Sequence, residues 1–140
     1  MNAQNREKPF GSPDDWLKHA ESDLRLARLA AESPDIRPEQ ACFHAQQAAE
    51  KAIKAVLLSR QIDFPFTHDI EELLELAESN GVELPAGVRD AGILTPYAIE
   101  TRYPGYSMEL TDADIDEAMR TAEQTVEWAR GMLTNCSGDQ

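Results

Sequence analysis

Few side chains in this 140-residue chain could do chemistry. The three histidines are His19, His44 and His68, and the two cysteines are Cys42 and Cys136. A transition-metal site needs several such ligands close together, most simply at helical spacings. No H-E-x-x-H, C-x-x-C or E-x-x-H pair occurs, so neither a zinc site nor a carboxylate-bridged di-iron site is expected. Cys42 and His44 are two residues apart, which puts them on different sides of a helix and argues against a thiol–imidazole nucleophile. No Gly-rich phosphate loop is present either. No catalytic residue, metal or cofactor is assigned.

Binding chemistry is better represented. In "CFHAQQAAEKAIKAVL", Cys42 to Leu57, a helical wheel places Phe43, Gln47, Glu50 and Lys54 on one face, with His44 and Lys51 beside it. Glu50 and Lys54 are spaced for an i,i+4 ion pair, worth about a few tenths of a kcal/mol on an open helix. Arg102, flanked by Tyr97, Tyr103 and Tyr106, is one of four basic residues among seventeen acids after position 60. A guanidinium beside aromatic rings suits a phosphate and a stacked base. A structural ion pair is the alternative for Arg102, and a backbone hydrogen bond for His68.

The elements that must hold these groups all read as helices. Ser12-Pro13-Asp14-Asp15 is a helix start, and Trp16, Leu17, Ala20, Leu24, Ala27 and Ala31 recur at threes and fours. The first helix should span Pro13 to Glu32, ended by Ser33-Pro34-Asp35. The second should run from Pro38 to about Arg60, with Cys42, Ala45, Ala49, Ala52 and Val56 as a small-residue stripe for close packing. Thr67-His68-Asp69 opens the third, where Asp69 and Glu72 suit a capping box, and Asn80-Gly81 closes it. A fourth, from about Ala86 to Arg102, is interrupted by Gly92 and Pro96. The last starts at Thr111-Asp112-Ala113-Asp114 and should end near Leu133. The expected fold is all-α: an antiparallel up-and-down bundle of four main helices plus a shorter one. The bundle domain should occupy residues 12–134, between flexible tails at 1–11 and 135–140.

Composition narrows the partners. The net charge of −13 argues against duplex DNA, whose non-specific binders neutralise phosphates. The charge is uneven: −2 over residues 1–36, +2 over 37–60 and −13 over 61–140. No apolar run is long enough for a membrane span, the N-terminus lacks an apolar signal core, and both cysteines read as free thiols. The expected location is the cytoplasm.

Three ordered blocks, "CFHAQQAAEKAIKAVL", "FTHDIEELL" and "ETRYPGY", resemble the HEPN domain (higher eukaryotes and prokaryotes nucleotide-binding) over about Asp14 to Leu133. The resemblance implies a small helical bundle, commonly a homodimer. It also implies service as the substrate-binding or partner subunit of a minimal nucleotidyltransferase, in some cases within a toxin–antitoxin pair. The nucleotide- or partner-binding residues expected are Arg102, Tyr103, Tyr97, His68, Lys51, Lys54, Gln47 and His44, with a nucleotide or RNA as ligand.

The alternative is the metal-independent ribonuclease toxin of the same family, with a degenerate site. That branch carries an Arg, four to six residues and then a His on a late helix. Here no His follows His68, and "RYPGY" has Tyr where the His would stand. Tyr is a poor base near neutrality, with an ordinary pKa of about 10. Arg37 to His44 matches the spacing, but Pro38 follows that Arg and the pair opens the second helix.

Overall fold

The computed structural model describes residues 11–98 and 109–138, with side chains through Asn135. All regular structure in it is helical. Helix α1 spans Pro13–Glu32, α2 Pro38–Ser59, α3 Ile70–Ser79, α4 Ala86–Arg89 and α5 Asp112–Gly138, and a 3₁₀ helix over Asp90–Ala98 continues from α4.

The helix starts follow from their caps. Ser12 Oγ accepts from Asp15 N at 3.1 Å while Asp15 Oδ2 accepts from Ser12 N at 2.9 Å. Thr111 and Asp114 repeat this reciprocal box at α5. At α3 the box is only half made. Asp69 Oδ1 accepts from Glu71 N and Glu72 N, but Asp69 N donates to Thr67 Oγ1 rather than to Glu72.

Two helix ends use left-handed residues. Gly81, at φ +87°, closes α3 as Val82 N donates to Ala77 O. Gln61, at φ +60°, closes α2 in the same way, with Ile62 N donating to Leu57 O. The expected fourth helix is a single α turn followed by 3₁₀ backbone. Pro96 inside it has no N–H to donate, and the nine-residue stretch winds more tightly than an α-helix. Its expected end at Arg102 lies outside the described residues. Helix α5 continues past the expected Leu133 to Gly138.

Helix α2 is the centre of the bundle. Thirteen of its 22 residues are buried, so it meets neighbours on nearly every side. The stripe Cys42, Ala45, Ala49, Ala52 and Val56 is fully buried, with Ala48, Ile53 and Leu57 beside it. Small side chains there let α1 and α5 approach closely. On α1 the buried side is Leu17, Ala20, Leu24, Ala27 and Ala30; Ala31 is exposed. Arg28 pairs with Glu123 and Arg130 with Glu21, so α1 and α5 run antiparallel. No helix of the described residues is long and apolar enough to cross a membrane.

Candidate functional site

The polar side of α2 is organised around two acidic hubs. The first is Glu50, one of the most deeply buried charged residues described. Its Oε2 accepts from Lys54 Nζ at 2.8 Å, and its Oε1 from Gln46 Nε2 at 2.9 Å. His68 Nδ1 sits 3.1 Å from Oε1 and 3.0 Å from Oε2. Three polar side chains therefore converge on one buried carboxylate, which is how such a charge is accommodated away from water.

Lys54 is sealed by aromatic rings as well as by Glu50. Its Nζ lies 5.8 Å from the centre of the Trp16 ring and 5.7 Å from that of Phe64. These two rings meet edge to face at 6.4 Å. Cation–π attraction strengthens as water is excluded, so this arrangement offsets part of the desolvation of Lys54. Phe64 belongs to the connector between α2 and α3, whose far end is tied down by His68. Gln46 Nε2 also reaches the His68 carbonyl at 3.4 Å, and Gln47 Nε2 donates to Gln46 Oε1 at 2.7 Å.

The second hub is Asp23 of α1. It is 9% exposed and accepts from Lys51 Nζ at 2.6 Å, with His44 Nδ1 at 3.2 Å. In both hubs a histidine turns Nδ1 to a carboxylate. That contact fixes the ring and makes Nε2 the nitrogen available to a ligand. Beside the second hub, Gly11, Asp15, Trp16, His19 and Lys51 line a hollow of about 340 Å³.

Of the eight expected binding residues, five lie on this part of the molecule: His44, Gln47, Lys51, Lys54 and His68. Four of them reach the surface, while Lys54 lies beneath it. Tyr97 is half-buried on the 3₁₀ helix, and its hydroxyl donates toward the Cys42 sulfur. Burial, then nearby negative charge at Cys42 and Asp114, pushes the Tyr97 pKa up to about 12. Cys42 is one turn before Gln46, so Tyr97 and His68 are held by successive turns of α2. Arg102 and Tyr103 lie outside the described residues.

Sequence reasoning missed Asp23, Gln46 and Trp16 as parts of this surface. Asp23 had a readable signal: it falls three residues after Ala20 and four before Ala27, in the apolar stripe of α1. A charge in such a stripe needs a partner. Among the described residues, no three His, Cys, Asp or Glu side chains are grouped to hold a metal ion.

The sequence profile of the HEPN domain matches residues 13–132. Among solved structures, TT1696 from Thermus thermophilus is 31% identical, with 86% of this chain and 97% of that one covered and a TM-score of 0.72. ST0689, an archaeal HEPN homologue, is 32% identical over 87% of this chain and 98% of its own, at a TM-score of 0.68. No curated protein matches the chain.

Proposed function

The chain belongs to the HEPN domain family, and from that premise we propose that it is a non-catalytic binding subunit. It holds a nucleotide for, or docks onto, a minimal nucleotidyltransferase in the cytoplasm. The observation that carries this reading is the pair of carboxylate-oriented histidines on one surface, His44 on Asp23 and His68 on Glu50, with Lys51 and Gln47 between them. Such groups are held in place before a ligand arrives, which lowers the entropy cost of binding. Lys51 offers a donor to phosphate oxygens, and with His44 it lies in the 37–60 stretch, whose net charge is +2.

The histidine distribution supports binding over cleavage. RNA cleavage in this family calls for a late His, and the sequence has none after His68. The test is calorimetric titration of ATP, GTP and a short single-stranded RNA into wild type and Lys51→Ala, with the RNA checked for cuts. Binding of at least one probe, weakened by Lys51→Ala and with the RNA intact, is expected. Absence of heat with every probe, or RNA cleavage by wild type, overturns the proposal. Lys51→Arg keeps the charge beside Asp23 and separates ligand contact from folding.

A further inference from the structure

All three histidines of the chain lie on this one surface, and Lys51 connects them. Lys51 shares the wall of the hollow with His19. It donates to the Asp23 carboxylate that holds His44, and it follows Glu50, which holds His68. Histidine is the side chain whose charge ordinarily changes between about pH 5 and 8. Grouping the three concentrates that change on the polar side of α2.

The tautomer follows from the partners. A carboxylate only accepts, so a neutral His44 or His68 carries its proton on Nδ1, facing Asp23 or Glu50. Its Nε2 is then a bare lone pair. The His44 and His68 side chains are 25% and 52% exposed. Among the described residues, neither Nε2 has a hydrogen-bond partner. A lone pair repels the oxygens of an anion. Only a second proton, on Nε2, turns it into a donor.

The charges lead to the same point. With neutral rings, Asp23 and Lys51 sum to zero, and so do Glu50 and Lys54. Each hub gains a full positive charge when its histidine is protonated. The acids of the neighbouring elements are turned elsewhere. On α1, Asp15 caps Ser12; on the connector, Asp63 is exposed to water. At the start of α3, Asp69 accepts from the Glu71 and Glu72 amides, and Glu71 pairs with Arg89.

We propose that this surface binds an oxyanion together with protons from the solvent. His44 and His68 each take up a second proton at Nε2 and donate it to the anion. Asp23 and Glu50 keep the Nδ1 protons and balance the new charge. The ligand class is a phosphate or phosphodiester, and no bond to it is made or broken. Affinity rises as pH falls. The inference rests on reading this surface as a binding site, and adds that pH sets its affinity.

The test is calorimetry with inorganic sulfate and a short single-stranded RNA, whose charges are constant between about pH 6 and 8. Each is titrated at both ends of that range. A titration near neutrality in two buffers of different ionisation enthalpy gives the number of protons taken up. For at least one probe, affinity should be at least about fivefold higher at the acid end. Uptake should be at least about half a proton per chain. His44→Gln and His68→Gln keep a donor for the carboxylate but do not titrate. Each should lower the uptake, and the double variant should abolish it, with thermal melts checking the fold. The wild-type titrations stand without the variants. Sulfate bound with uptake, where ATP, GTP and RNA give no heat, supports this inference and sinks the nucleotide reading. RNA bound without uptake keeps that reading and overturns this inference. Uptake that persists in the double variant, or binding of neither probe, overturns it as well.

Discussion

Lys54 Nζ lies 2.8 Å from Glu50 Oε2, and the two side chains are only 5% and 4% exposed. The i,i+4 spacing of this pair is the same as on an open helix, but its energetics are not. Burial removes both charges from water, so each now depends on the other and on the neighbours that enclose them. The pair fastens α1, α2 and the α2–α3 connector together, because Trp16, Phe64 and His68 all converge on it.

Removing one charge should therefore cost far more than the exposed-pair value. Lys54→Ala or Glu50→Ala should each lose about 3–5 kcal/mol, as expected when a buried charge loses its partner. Lys54→Met combined with Glu50→Leu removes both charges and keeps volume, so it should cost clearly less than the two alanine losses added together. Urea unfolding of the single and double variants measures this. Strict additivity would show that the two residues are not coupled.

Gln61 is the one described non-glycine residue at positive φ, at 60°. A side chain in the left-handed region costs roughly 1–2 kcal/mol, partly balanced by the greater freedom of glycine in the unfolded chain. Gln61→Gly should raise stability by about 0.5–1 kcal/mol by denaturant melting. Gly81→Ala, at the equivalent end of α3, should lower it, because no neighbour lies within reach of the new methyl and only the backbone is strained. Equal effects of the same sign at both positions would contradict this account of the two caps.

The Cys42–Tyr97 contact sets an alkaline limit. Burial, with Asp114 and Glu39 nearby, pushes the Cys42 pKa up from 9.0 to about 11. Tyr97 moves up from 10.0 to about 12. In the unfolded chain both groups ionise first, so the unfolded state gains as pH rises above 9. These two groups add no pH dependence well below that point, and through them stability should fall between pH 9 and 12. Cys42→Ala should make the early part of the fall shallower. In a Cys136→Ser background, native protein near neutral pH should react with a thiol reagent only as fast as it opens. Immediate labelling of Cys42 would contradict its burial.

How legible these features were depends on how local their causes are. The starts of α1 and α5 follow from side chains within one turn, Ser12 with Asp15 and Thr111 with Asp114, and sequence reading placed them correctly. The alanine stripe of α2 was readable because its period is local too. The break after α4 was foreseen from Gly92 and Pro96, though its 3₁₀ character was not. Burial of Lys54 was not legible, because the rings that cover it come from Trp16 and Phe64, far away along the chain. For Asp23 the place in the α1 stripe was legible, but its partners, His44 and Lys51, were not, because they belong to another helix.

The central claim is that ligands meet this protein on the polar side of α2, between the Asp23 and Glu50 hubs. Two-dimensional amide NMR of labelled protein during an ATP titration tests it most directly, with the His44 and His68 ring signals followed alongside. The account predicts saturable shifts at His44, Gln47, Lys51 and His68. It predicts none along the α1–α5 seam, where Arg28 pairs with Glu123 and Arg130 with Glu21. Shifts confined to that seam, or no shifts at millimolar ATP, would contradict it.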